Sequence, residues 1–187
     1  GSNSHEHIWG YGGNPSGFFL DYVAIVATNT QKLEILQYNV SGAPSTNLTT
    51  SDNTFPQDQW NHLAVVYNGS VLKVYVNGSE VGSMTVSLGS IDYSSQSNAR
   101  MTLGARWFPG LGGYDSHFEG YISDIRISKG NTRYTADFDE LVTTKDDDHV
   151  LILTGETTDQ SDSEHTITFS GAHPTAKFGQ GSFFCGG

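Results

Sequence analysis

The sequence predicts an all-β, antiparallel fold, and three observations carry the prediction. Two Asn-Gly pairs, Asn68-Gly69 and Asn77-Gly78, punctuate a stretch from Trp60 to Ser83 that is rich in β-branched and aromatic residues. Asn-Gly supplies the two positive-φ positions of a tight type I′ turn, so this stretch reads as a three-strand meander. The composition agrees: 22 glycines, nine tyrosines and ten phenylalanines, with abundant Ser, Thr and Asn, suit strands joined by many turns. No window keeps a helical apolar period long enough to form a helix. At 187 residues the chain is long enough for one domain with a core of its own.

Along the chain, residues 4–17 are turn-rich around one apolar patch, Ile8-Trp9-Gly10-Tyr11. Residues 18–26 are dense in aromatic and β-branched side chains and read as a buried strand. Residues 32–38 form the next strand, with Leu33 and Ile35 alternating against Glu34. Residues 41–58 are polar, contain Pro44 and Pro56, and read as a rim loop. In the meander, Leu72, Val74 and Val76 share one face of the middle strand while Lys73 and Tyr75 take the other, so one side is meant for a core. Residues 87–99 are Ser-rich and irregular, and residues 101–105 open a further strand. Residues 108–115 are expected to be a loop, because Pro109 and the glycines cannot sustain a ladder. Residues 121–127 read as a strand with Tyr121, Ile125 and Ile127 on one face. Asp124 and Arg126 share the other, where an ion pair contributes about 0 to 1 kcal/mol if exposed. Residues 139–148 form an acidic hinge.

The run Trp60-Asn61-His62-Leu63-Ala64-Val65-Val66-Tyr67, with its Asn-Gly, apolar strand and second Asn-Gly, resembles the laminin G-like modules of the concanavalin A-like lectin/glucanase superfamily. The pattern there is Trp-x-His-hydrophobic-Ala, a turn, and a strand ending in Asp-Gly or Asn-Gly. Phe118-Glu119-Gly120-Tyr121-Ile122-Ser123-Asp124-Ile125-Arg126-Ile127, followed by Thr132-Arg133-Tyr134-Thr135-Ala136-Asp137-Phe138, is similar to the closing strand and tail of such modules, particularly those of bacteriophage and marine bacterial surface proteins. The resemblance covers residues 8–138. It implies a two-sheet antiparallel jelly-roll sandwich, a binding role far more often than catalysis, and an extracellular, cell-surface or virion location. Within residues 149–187, Val150-Leu151-Ile152-Leu153, His165-Thr166-Ile167-Thr168-Phe169 and Ala176-Lys177-Phe178 are similar to the opening strands of a module, displaced to the carboxyl end. Either residues 1–187 are one circularly permuted sandwich, which closely spaced termini permit, or copies exchange strands. In both cases the segment from His149 is expected on the sandwich of the meander.

Twenty acids against nine Lys plus Arg give a formal charge of −11. Phosphate backbones and anionic membranes are repelled by such a surface, which argues against nucleic acid and lipid headgroups as partners. A glycan or cell-surface ligand, or other copies of the chain, remain. Cys185 is the sole cysteine, which excludes an intrachain disulfide and leaves only an intermolecular one. No apolar run is long enough to span a bilayer and no signal peptide is recognised.

Glycosidases of this superfamily need two carboxylates flanking one bond, about 5 to 5.5 Å apart for retention. Glu119 and Asp124 are separated by an odd step and point to opposite strand faces, and Asp159, Asp162 and Glu164 lie in a turn. The chain is therefore read as non-catalytic. No Gly-x-Ser-x-Gly elbow is present, and one Cys with scattered histidines makes no zinc motif. Calcium is the one cofactor expected: the resemblance implies a rim site of carboxylates and carbonyls, with Asp115, Asp52 and Asp92 as candidates. For glycans, an aromatic ring for the apolar sugar face beside amide and carboxylate groups points to Trp107, Tyr114 and Asp115, with Tyr93 and Asn98 nearby. His62 is expected to pack beside Trp60 as a structural residue. Asn39, Asn47, Asn68 and Asn77 match the glycosylation pattern, but the hairpin turns account for the last two.

Overall fold

The structure is a computed structural model and describes residues 5–12, 22–38, 44–86, 100–108, 112–154, 158–168, 173–177 and 180–184. All regular elements among them are strands, and every strand pair is antiparallel. The chain forms two compact units, residues 1–118 with 134–140, and residues 119–133 with 141–187.

The first unit holds β1 (His5–Gly12), β2 (Tyr22–Thr28), β3 (Leu33–Tyr38), β4 (Pro44–Thr49), β5 (Leu63–Tyr67), β6 (Val71–Val76), β7 (Ser79–Thr85), β8 (Arg100–Leu103), β9 (Arg106–Phe108) and β10 (Gly113–Asp115). One sheet runs β4-β3-β2-β1-β8 and another β5-β6-β7. Alternation decides what lies inside. Ala27, Leu33 and Ile35 from the first sheet and Leu72, Val74 and Val76 from the second make one core, into which Ile8, Leu48, Phe55 and Phe118 also pack. Ile8 reaches it from an irregularity in β1, where the register shifts between His7 and Trp9.

Several expectations are corrected here. Residues 44–49, read as loop, are a strand, because β4 is the edge of its sheet and there Pro44 can stand first and polar side chains can face water. Residues 108–115 are not all loop either. Gly113 pairs with Phe108, Tyr114 with Trp107 and Asp115 with Arg106 in a short ladder, and residues 109–111 lie outside the described residues. Of the two Asn-Gly turns, only Asn77-Gly78 has both residues at positive φ, 51° and 85°. At the other, Gly69 alone is positive, and the Asn68 Oδ1 instead accepts from the Ser70 and Val71 backbone N–H groups at 3.0 and 2.8 Å.

The outer face of β6 is not left to solvent. Tyr75 is fully buried, under residues 134–140. Its ring centroid lies 5.5 Å from that of Phe138, which stacks on Tyr134 at 3.7 Å. His62 packs as expected of a structural residue, but its edge-on partners are Phe138 and Tyr134, at 5.6 and 6.2 Å. Polar contacts fasten the same segment: Lys73 Nζ donates to the Thr135 carbonyl at 3.1 Å, the Glu80 N–H to Asp137 Oδ1 at 2.8 Å, and the Phe138 N–H to the Gly78 carbonyl at 2.9 Å.

The second unit holds β11 (Tyr121–Ile122), β12 (Ile125–Ser128), β13 (His149–Leu153), β14 (His173–Lys177) and β15 (Gln180–Phe184), in sheets ordered β11-β15-β14 and β12-β13. Residues 121–127 are thus two strands rather than one. They break at Ser123-Asp124, where Asp124 adopts φ 50° and its carboxylate accepts from Arg126 Nε at 2.8 Å. The carboxyl-terminal strands β13 and β15 pair with β12 and β11 of the same chain. Residues 165–168, read as part of a strand, lie outside the regular elements.

Two polar nodes shape this unit, one around the buried Asp159 and one around the exposed Asp146. The Asp159 side chain has no exposed surface. It accepts from the backbone N–H groups of Ile152, Ser161 and His165 and from Ser161 Oγ and His165 Nδ1, at 2.8–3.0 Å. Burial alone would raise its pKa, yet these donors outweigh it and hold the carboxyl well below the usual carboxylate range. Asp146 is gripped by both terminal nitrogens of Arg133, at 2.7 and 2.5 Å, and lies 2.8 Å from the buried His149 Nδ1. The Arg133 guanidinium holds its carboxyl far below the ordinary value.

Candidate functional site

β8 lies along β1, with Gly10 opposite Thr102 and Gly12 opposite Arg100. At its end Gly104, with φ 71°, donates its N–H to the Ile8 carbonyl at 2.9 Å and sends the chain into β9. The β9–β10 hairpin follows, and its register builds the site. Residues directly opposite on an antiparallel pair share a face. The pairing Tyr114↔Trp107 therefore sets two aromatics side by side, and Asp115↔Arg106 sets an ion pair beside them.

The geometry follows from that pairing. The Trp107 and Tyr114 ring centroids are 5.0 Å apart at 53°. The exposed Arg100 brings its guanidinium carbon to 4.1 Å from the Trp107 ring centre, a cation–π contact, and its Nη1 to 3.4 Å from the Tyr114 hydroxyl. Arg106 clasps Asp115 through both nitrogens, Nε to Oδ1 at 2.7 Å and Nη2 to Oδ2 at 2.5 Å. That clasp holds the Asp115 carboxyl below its ordinary pKa, against the opposing effect of partial burial. Behind the pair lies His7, whose N–H donates to the Ser116 carbonyl at 2.9 Å. Burial, reinforced by the Arg106 charge and partly countered by Asp115, pulls the His7 imidazole down to about 4.

The structure thus brings Trp107, Tyr114 and Asp115 together on one hairpin. Tyr93, Asn98 and Asp92 lie outside the described residues. Asp52 is elsewhere, in the loop after β4, at 3.1 Å from Lys32 Nζ. Both described calcium candidates therefore already face a cationic side chain. Among the described residues, no three of His, Cys, Asp and Glu gather as a metal-binding group. The short acid run Asp146-Asp147-Asp148 is likewise engaged, Asp146 by Arg133 and Asp148 Oδ2 by Asn131 Nδ2 at 2.9 Å. Sequence reasoning missed Arg100, which joins the site only through the β1–β8 pairing and carries no local signal.

A core closed between two antiparallel sheets defines a concanavalin A-like β-sandwich module. The chain belongs to the concanavalin A-like lectin/glucanases superfamily, whose laminin G-type family profile matches residues 2–133. No curated protein matches the chain. Among solved structures it is similar to an S-layer domain-containing protein from Clostridium thermocellum, solved for residues 221–444, with 20% identity and a TM-score of 0.32. The similarity covers 73% of this chain and 60% of that one, so the chain spans less than two thirds of that structure's length. Among the described residues, no helix is long and apolar enough to cross a membrane.

Proposed function

We propose that the protein is a non-catalytic adhesion or glycan-binding module, displayed outside a cell or on a virion. The observation that carries this reading is the β9–β10 hairpin. Trp107 and Tyr114 offer aromatic faces for the apolar side of a sugar ring, and Arg100 and the Arg106–Asp115 pair offer donors and acceptors for its hydroxyls. Membership of a lectin-containing superfamily and a surface of net charge −11, which disfavours nucleic acid, support the same reading. A glycan array read with the wild type and with Trp107→Ala and Tyr114→Ala tests it. Retention that both variants abolish supports the proposal, and silence across the array rejects it.

A second reading, a structural subunit that exchanges strands between copies, is favoured by one observation. The connection between β12 and β13, residues 129–148, contains no strand, and a neighbour's β13–β15 could replace the chain's own across it. Size-exclusion chromatography with light scattering separates the two: a monomer that binds glycan supports recognition, and ordered polymers support assembly.

A further inference from the structure

We propose that the loop before β5 carries a second sugar-binding site, built on Trp60 and selective for uncharged pyranose chains. It uses none of the residues of the β9–β10 hairpin. Trp60 opens the Trp-x-His run and is 43% exposed, a large apolar ring turned to solvent. Gln57, Asp58 and Gln59 beside it are exposed as well. An exposed indole with two side-chain amides and a carboxylate in the three residues before it supplies the chemistry that sugar recognition needs, an aromatic face for C–H groups and polar groups for hydroxyls. No Lys or Arg lies between Phe55 and His62, so nothing in the loop would draw in a sulfated or carboxylated sugar.

The loop is also held rigid, which a lone surface tryptophan is not. Asn61 Nδ2 donates to the Pro56 carbonyl at 2.7 Å, and Asn61 Oδ1 accepts from Gln59 Nε2 and Asn77 Nδ2, both at 3.1 Å. The His62 N–H donates to Asn77 Oδ1 at 2.8 Å, and the Asn77 N–H returns to the His62 carbonyl at 2.9 Å. Farther back, the Phe55 N–H donates to the Gln31 carbonyl at 2.8 Å. Both chain neighbours of Trp60 are therefore fastened, and the ring is presented with little backbone entropy left to lose on binding.

The test is calorimetry of the full chain against uncharged β-1,4-glucan, β-1,3-glucan, β-1,4-mannan and β-1,4-galactan hexasaccharides, paired with acrylamide quenching of tryptophan fluorescence. We expect at least one hexasaccharide to bind and to shield the exposed tryptophan. Trp60→Ala should weaken that binding about tenfold or more, and Trp60→Phe about threefold or less. Trp107→Ala should leave it intact, so loss of the hairpin site and loss of this one are read separately. If Trp60→Ala disturbs folding, the exposed Gln57 replaces it, and Gln57→Ala should weaken binding at unchanged melting temperature. Failure of all four sugars to bind the wild type, or binding by the Trp60 and Gln57 variants as tight as that of the wild type, overturns the proposal.

Discussion

Replacing Gly78 by alanine is the sharpest test of how the meander is closed on its outer face. A Cβ built on Gly78 would stand 2.0 Å from the Phe138 carbonyl oxygen, a distance no real contact tolerates, and the backbone there has φ 85°. Two costs follow. The left-handed conformation alone costs an alanine roughly 1 to 2 kcal/mol. Relief of the clash requires residues 134–140 to move away, which breaks the Phe138 to Gly78 hydrogen bond and loosens Phe138 from Tyr75 and His62. A lost hydrogen bond and partial exposure of a buried aromatic pair add about 2 to 3 kcal/mol, for a total near 3 to 5 kcal/mol. Gly69→Ala is the internal control. Its φ is 96° but nothing lies within 4 Å of the added carbon, so it should show the conformational cost alone. All three tryptophans, Trp9, Trp60 and Trp107, belong to the first unit, so urea melts followed by their fluorescence report on that unit. Gly78→Ala is expected to be less stable than Gly69→Ala by about 2 kcal/mol or more. Equal stability of the two variants would show that the segment does not press on the turn.

Three further outcomes are expected. The neutral His7 is favoured by folding, since its pKa of about 4 lies below the ordinary 6.5, so the stability it contributes is complete above pH 6.5 and is lost as pH falls toward 4. The loss is on the order of 3 kcal/mol over that window, and urea melts of His7→Gln, which cannot titrate, should be flatter across it. Asp159→Ala strands donors from Ile152, Ser161 and His165 in the second unit and should cost about 3 to 5 kcal/mol, read as faster amide exchange over residues 149–168. Because its folded pKa is depressed, the Asp159 contribution is present above the ordinary carboxylate range and fades below it. Calcium held at either described candidate would have to displace Arg106 from Asp115 or Lys32 from Asp52, so a site there should bind no tighter than about millimolar in calorimetric titration, and a micromolar isotherm abolished by Asp115→Asn or Asp52→Asn would refute that reading.

The parts of the fold that were legible in the sequence are those in which local pattern and burial coincide. Leu72, Val74 and Val76 alternate and fill the core, and Asn77-Gly78 forms the turn that its residues demand. The strand β4 was hidden because it stands at a sheet edge and its sequence, Pro-Ser-Thr-Asn-Leu-Thr, shows no apolar alternation, although Leu48 packs against the core. The β9–β10 ladder was hidden because three residue pairs suffice to form it, while the composition of residues 108–115 is dominated by its proline and glycines. Trp107 and Tyr114 could be picked out as aromatics in a Gly-rich stretch, but their adjacency depends on register, and Arg100 joins them only through β1. The burial of Tyr75 was the least legible feature. Its cover comes from residues 134–140, far along the chain, and an alternating strand carries no mark of what will cover its second face.

That cover also bears on binding. The Phe138 N–H holds the Gly78 carbonyl; Asn77, one residue earlier, holds the His62 N–H and the Asn61 amide; Asn61 in turn holds the Pro56 carbonyl, which fixes the loop that presents Trp60. These hydrogen bonds are joined through the Asn77–Gly78 and Asn61–His62 peptide bonds, so displacement at one end weakens support at the other. The β9–β10 hairpin is held by β1 and β8 instead and shares no link of this chain. A variant that loosens residues 134–140, such as Gly78→Ala, should therefore weaken the sugar binding proposed at Trp60 while leaving that proposed at the Trp107 face unaffected. Its two effects, on stability and on one site out of two, have the same physical origin.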